Sequence, residues 1–221
     1  MNTFPLEQKV CMITGGLGGF ALSITELMLK RGARIWLCDL KQEEDGMLTL
    51  QNDFSEAFGK NNIGYCRCDV TSENEFNAAF LKCIEKMGET PDVLINAAGM
   101  LGEEQWDNLY DINLVRETIY IVFSLTSINI ISYADAMFEC YKLTFCFQKG
   151  THRGIELAFK YMGIEQEGGK GGVVMNISST AGITCKAKIS YALPAYYASK
   201  HAVTSLTRCF GVRVLYYISR E

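Results

Sequence analysis

Two hydrophobic periods alternate along the chain. "KVCMIT" at 9–14 is a short continuous apolar run, and "ALSITELMLKRGA" at 21–33 sets its apolar residues at helical spacing before a glycine stop at Gly32. "RIWLCD" at 34–39 predicts a second strand, and a polar helical stretch follows from about Gln42 to Lys60. "IGYCRCDV" at 63–70 reads as a third strand. "SENEFNAAFLKCIEKMG" at 72–88 reads as a helix opened by a Ser72/Glu75 capping box. "PDVLINAAG" at 91–99 is a fourth strand ending in a glycine turn. Further on, "THRGIELAFKYMG" at 151–163 is helical, "EGGKGG" at 167–172 is a loop, "VVMNISS" at 173–179 is a fifth strand and "AYYASKHAVTSLTRCF" at 195–210 is a helix. Strand-helix alternation with short connections predicts an α/β fold with a Rossmann-like, doubly wound parallel sheet, as a single domain over 1–221.

Composition narrows the class. The chain has 221 residues, 48% hydrophobic and 21% charged, enough for one sizeable core. A net charge of −4 and a pI near 5.4 give no general attraction to nucleic acid or an anionic membrane. Nine cysteines are an odd number, sit mostly in apolar segments and form no C-x-x-C pair, which predicts reduced core thiols in a cytoplasmic protein. His152 and His201 make no zinc spacing with them, so no metal is expected. "KVCMITGG" is too short for a signal core. The uncharged stretch between Glu117 and Asp135 is marginal against the ~20 apolar residues of a membrane span, so no membrane segment is expected.

The first strand runs into Thr14-Gly15-Gly16-Leu17-Gly18-Gly19-Phe20-Ala21 and straight on into a helix. Glycines there let the backbone turn tightly and let a pyrophosphate approach the helix N-terminus, where unpaired N–H groups and the dipole favour anions. Asp39, about twenty residues on at the end of the second strand, completes a dinucleotide pattern. Its carboxylate can accept bonds from ribose hydroxyls and would repel a 2′-phosphate, which favours NAD over NADP. Near the other end, Tyr196 and Lys200 are four positions apart on a predicted helix and so share a face. A phenol with a pKa near 10 is a poor base at neutral pH. An adjacent ammonium favours the phenolate, and a fall of about 3 units requires ~4 kcal/mol.

These motifs, in this order, resemble the short-chain dehydrogenase/reductase family: T-G-x-x-x-G-x-A at Thr14–Ala21, Asp39, Asp69-Val70, N-A-A-G at Asn96–Gly99, Asn113 in "DINL", "NISS" at 176–179 and the Tyr196/Lys200 pair. The resemblance covers about 5–114 and 149–210. It implies an NAD-dependent oxidoreductase that passes a hydride between a secondary alcohol or ketone and the cofactor. By that similarity Gly15, Gly18, Gly19 and Phe20 would cradle the cofactor, Asp69 and Val70 would flank the adenine, and Asn96 and Ala97 would close the cleft. Ser179 would bond the substrate oxygen, Tyr196 would exchange its proton, Lys200 would bind the nicotinamide ribose, and Asn113 would hold a relay water. Other roles stay open: Asn96 could bond its own turn, Ser178 could take the place of Ser179, and Asp69 could be a helix-approach cap. "NISSTAG", "YYASKHAV" and "RGIELAFKYM" are most similar to the branch of hydroxyprostaglandin and insect alcohol dehydrogenases, which makes a lipid-like alcohol the leading substrate expectation.

The chain also departs from the family. Ser179 and Tyr196 are 17 positions apart, a few more than in relatives, which places extra residues in "TCKAKISYALPA". Val115–Gln148 stands inside what would be one helix, since "DINL" joined to "KGTHRGIELAFKYM" gives the family's uninterrupted pattern. Val115-Arg116 can be encoded as a splice donor and Phe145-Cys146-Phe147-Gln148 as a pyrimidine tract with an acceptor. The expectation is therefore an anomalous insertion at 115–148 and a divergent tail at 212–221, both read as translated intron, with the sheet's C-terminal strands missing. A genuine loop is the competing reading. Family members pair through the helices of Asn113 and Tyr196, implying a homodimer or tetramer that the insertion would disturb. A catalytically silent nucleotide-binding or interaction protein is the alternative function.

Overall fold

The computed structural model describes residues 5–54, 62–99, 115–116, 146–147, 149–164, 168–184 and 194–218. The chain divides into two compact units, 1–99 with 150–177 and 100–149 with 178–221.

The first unit holds a five-stranded parallel sheet built from β1 (Val10–Thr14), β2 (Arg34–Asp39), β3 (Ile63–Arg67), β4 (Val93–Asn96) and, after two intervening short strands named below, β7 (Val173–Asn176), in the order β3-β2-β1-β4-β7. The chain winds outward from β1 through β2 to β3, then crosses to the other side of β1 with β4. That reversal is a topological switch point, and in open α/β sheets ligands bind beyond the carboxyl ends of the strands there. Connecting helices are α1 (Gly19–Leu29), α2 (Glu43–Asp53), α3 (Glu73–Met87) and α4 (Lys149–Met162).

Alternation along each strand sends successive side chains to opposite faces, and both faces are covered. Val10 and Met12 join Trp36, Cys38, Cys66, Leu94 and the helix residues Phe76, Phe80 and Met162 in one core cluster. Cys11 and Ile13 join Ile35, Leu37, Tyr65, Ile95, Ala21 and Leu50 in the other. This two-sided burial is why the strands read as unbroken apolar runs. β7 differs: it is the outer strand among the described residues, with Val173 and Met175 exposed. Cys11, Cys38, Cys66, Cys68 and Cys83 are buried free thiols, as the core-thiol expectation has it, whereas Cys209 is exposed.

Two sequence expectations change in detail. The polar helix expected to reach Lys60 closes at Phe54, whose N–H bonds back to Leu50, and 55–61 fall outside the described residues. At α3 only half of the capping box forms: Ser72 Oγ accepts from the Glu75 N–H at 3.4 Å. The Glu75 carboxylate instead accepts from the Asp69 N–H at 3.1 Å and from Arg67 at 2.6 Å, because Arg67 draws it toward the strand end.

In the second unit, β5 (Val115–Arg116) and β6 (Cys146–Phe147) pair antiparallel, Val115 with Phe147 and Arg116 with Cys146. A three-residue 3₁₀ turn (Thr180–Gly182) follows Ser179, and α5 spans Pro194–Ile218. "GVRVLYYI" thus continues α5 and adds no strand to the sheet. No helix of the described residues is long and apolar enough to cross a membrane, and none of their His, Cys, Asp or Glu groupings suits a metal ion.

Candidate active site

Around the carboxyl ends of β1 and β4, backbone packing is closer than any side chain would permit. Gly15 has φ +63°, and a Cβ there would lie 2.7 Å from Ala98 Cα and 2.8 Å from Ala98 N. The Ala98 N–H in turn donates to Thr14 Oγ1 at 3.2 Å, so the threonine of the motif ties the two turns together. Thr14 is a positioning residue that the sequence displayed as the first letter of its glycine motif, without a role attached. The turn is also pinned to β2: the Gly16 N–H donates to the Cys38 carbonyl at 3.0 Å and the Leu17 N–H to Asp39 Oδ2 at 3.0 Å. Gly18 is the extended N-cap of α1, and beside Gly19 there is open space. The N–H groups of the first turn of α1 have no partner within the helix, and no acidic side chain stands there to repel an anion. The glycine turn therefore fits a pyrophosphate. Phe20 is 58% exposed at the start of the helix.

Replacing Gly15 by Ala forces a left-handed backbone on an L-residue and drives the new methyl into the Ala98 backbone, which has no side-chain freedom to yield. A loss of about 2 kcal/mol or more is expected, with weaker NAD binding. Gly19→Ala, entering open space at the helix start, should stay within about 0.5 kcal/mol of the parent. Thermal unfolding of the two variants checks the contrast, and equal midpoints would sink it.

Asp39 holds Leu17 through Oδ2 while Oδ1 accepts from the Leu40 N–H at 2.7 Å; an ionised carboxylate has about four acceptor sites, so capacity for a hydroxyl donor remains. Asp69 builds the entry to α3: its Oδ1 accepts from the Thr71 N–H at 2.8 Å and its carbonyl from the Ser72 N–H at 3.0 Å. Val70 is buried in the core cluster beneath that turn. Asn96 is 2% exposed, and its amide donates across the sheet to Asn176 Oδ1 at 2.9 Å, so its side chain braces two strands. Gly154 of α4 abuts the Asn96 side chain closely enough that no Cβ would fit between them. Ala97 is half-buried against the core. α4 is fixed from the other side by Arg153, which donates to the Thr71 carbonyl.

In the second unit the two serines of "NISS" divide the work. Ser178 Oγ donates to the Lys200 carbonyl at 2.9 Å and lies 2.9 Å from Thr204 Oγ1, buttressing α5 behind the Tyr/Lys pair. Ser179 Oγ caps the 3₁₀ turn by accepting from the Ala181 N–H at 3.1 Å, a bond that leaves its own proton to donate. Tyr196 is half-buried and Lys200 is 7% exposed. Lys200 Nζ lies 5.8 Å from the Tyr196 ring centroid, within cation–π range, and burial pushes the ammonium's pKa below its ordinary value. Asn113 lies outside the described residues.

A glycine turn at the switch point of a parallel sheet, with an acid at the end of β2, defines a doubly wound, Rossmann-like α/β unit, while the second unit carries a Tyr/Lys pair on one helix face. The family profile for short chain dehydrogenases matches residues 9–122, and the chain belongs to that family. Among curated relatives, 15-hydroxyprostaglandin dehydrogenase from Rattus norvegicus, whose full name specifies NAD(+), is 30% identical over 200 residues, 90% of this chain and 59% of the relative. The human protein of the same name is 29% identical over the same shares. This chain thus spans about three fifths of the length of those relatives. Among solved structures, a short chain dehydrogenase from Mycobacterium smegmatis aligns with a TM-score of 0.67 and 22% identity, over 96% of this chain and 73% of the other. One from Burkholderia phymatum, solved in complex with NAD, aligns at 0.65 and 19%, over 94% and 60%.

Proposed function

We propose that the protein is an NAD-dependent dehydrogenase/reductase acting on a secondary alcohol or the corresponding ketone. The observation that carries this reading is the pinned glycine turn: Gly15 leaves no room for a Cβ, and Asp39 holds Leu17 beside the start of α1. Gly15, Gly18, Gly19 and Phe20 would hold the pyrophosphate, Asp39 the adenosine ribose, and Asp69, Val70, Asn96 and Ala97 the remaining walls. NAD, when bound, supplies the hydride acceptor. The chain's own residues then have a proton to move. Ser179 donates a hydrogen bond to the substrate oxygen, Tyr196 takes the hydroxyl proton, and the buried ammonium of Lys200 favours the phenolate. Asn113 is assigned the relay water of the family pattern. On this reading 1–221 works as one dehydrogenase domain with a small-molecule substrate. The names of the relatives support a hydroxyprostaglandin-like lipid alcohol, and family resemblance supports assembly as a homodimer or tetramer in the cytoplasm.

The test is NADH absorbance across a panel of secondary alcohols, long-chain hydroxy lipids included, with NADP in a parallel series. Turnover with NAD and a lipid alcohol is the expected result, and NADP-only turnover would overturn the assignment of Asp39. A second reading, a nucleotide-binding protein without turnover, is favoured by one feature: Asn113 stands two residues before β5, where the inserted segment begins. Bound NAD without product from any alcohol would select it. Transcript reads that join codons 114 and 149 would identify 115–148 as intron, whereas a continuous coding exon would make it part of the protein.

A further inference from the structure

Cys38 and Cys66 occupy partner positions on adjacent parallel strands, so their side chains leave the same face of the sheet. Their sulfurs are 3.6 Å apart. Neighbouring strands lie about 4.8 Å apart, within the Cα separations that disulfides span, so closing the gap to about 2 Å needs side-chain rotation and a small strand shift. Cys66 Sγ also accepts from the Trp36 indole N–H at 3.3 Å. The Cys38 thiol, against the opposing effect of burial, and then the indole and the Lys82 ammonium hold Cys66 below its ordinary pKa; burial pushes Cys38 up. Cys68 and Cys83 share the cluster, and burial drives both thiols well above their usual range. The pair is therefore close and in register, and because both thiols are buried at β3, the outer strand on that side among the described residues, hydrogen peroxide would reach them through local opening of β3.

We propose that Cys38 and Cys66 form a peroxide-sensitive thiol pair whose closure loosens the nucleotide-binding turn. The Cys66 thiolate attacks hydrogen peroxide, the O–O bond breaks, hydroxide leaves, and Cys66 becomes a sulfenic acid. The Cys38 sulfur then attacks the Cys66 sulfur: the S–S bond forms, the S–O bond breaks, and the departing hydroxide takes the Cys38 proton as water. Two thiols have lost two electrons and two protons, and the peroxide has been reduced to two waters. The consequence follows from the neighbours of Cys38. Its carbonyl holds the Gly16 N–H, and the next residue, Asp39, holds the Leu17 N–H. Drawing Cys38 toward β3 moves both anchors of the glycine turn together.

This inference rests on the reading of that turn as the NAD site, and the experiment separates the two. The full-length reduced protein is treated with hydrogen peroxide, its free thiols are alkylated, and tryptic peptides are mapped by mass. Trypsin cuts after Arg34, Lys41, Lys60 and Arg67, which puts Cys38 in 35–41 and Cys66 in 61–67, apart from Cys68. The expected product is the 35–41/61–67 pair joined with loss of two hydrogens, reversed by dithiothreitol. NAD titrations followed by intrinsic fluorescence should show several-fold weaker binding in the cross-linked form and recovery on reduction. Other cysteine pairings, or both peptides found alkylated, would overturn the thiol pair whatever NAD does. The cross-link with unchanged NAD affinity would overturn its coupling to the turn, while failure of the reduced protein to bind NAD would overturn the cofactor site alone.

Discussion

Tyr196→Phe should lower turnover by about 10²–10⁴-fold, or ~3–5 kcal/mol in the barrier, while leaving NAD affinity nearly unchanged. The substitution deletes one oxygen and keeps the ring that packs under Lys200. On the proposed mechanism, an ammonium 5.8 Å from the ring centroid and almost out of solvent would interact more strongly with a phenolate than a solvated one would. An unchanged thermal midpoint beside that loss of turnover would separate a missing proton carrier from lost packing. A variant within threefold of the parent rate would show that the proton goes elsewhere.

Asp92→Asn should destabilise the fold by about 3 kcal/mol, enough to lower the thermal midpoint by several degrees. Asp92 lies at the amino end of β4, far along the strand from the glycine turn. Its carboxylate accepts from Lys9 Nζ at 2.9 Å, the Val10 N–H at 2.9 Å and Lys170 Nζ at 3.0 Å, while its backbone pairs with Val10 and Val173. Through its carboxylate and its backbone together, Asp92 thus links β1, β4 and β7. The lysines retain partial solvent contact, with side chains 37% and 33% exposed, which keeps the figure at the lower end of the cost of breaking a buried pair. Burial raises the Asp92 pKa, but the bonds from Lys9, Val10 and Lys170 more than offset it and hold the carboxyl below its usual value. The unfolded chain therefore binds the proton more readily. The contribution is complete above the unfolded pKa of about 4 and is lost as pH falls through the lower folded value. Denaturation curves of parent and variant should differ fully at neutral pH and converge below about pH 4. A constant gap across that range would mean that the charge is not what Asp92 supplies.

The legible parts of the molecule are those written in local pattern. "RIWLCD" is β2 residue for residue, and the glycine turn, Asp39 and the Tyr196/Lys200 spacing all stand where the sequence put them. Such features depend on periods of two or 3.6 residues and on glycine's backbone freedom, which neighbours a few positions apart decide. Partner choice was less legible. Ser72 and Glu75 have the letters of a capping box, yet Glu75 turns to Asp69 and Arg67 because β3 ends beside it. Asn96 has the composition of a turn residue and instead braces β4 against β7, eighty positions away in the chain. Of the two adjacent serines, the one that buttresses α5 and the one that caps a turn differ only in which way the chain faces after β7.

By itself, the sequence determined the parallel α/β fold and the strand-helix order, because hydrophobic period is a property of short segments. Only the tertiary structure decided that β4 crosses to the far side of β1, bringing Ala98 against Gly15, that Asp92 joins three strands, and that Cys38 faces Cys66. Each of these is a contact between segments distant in the chain, set by which strands lie side by side and in what register, and no local pattern carries that information.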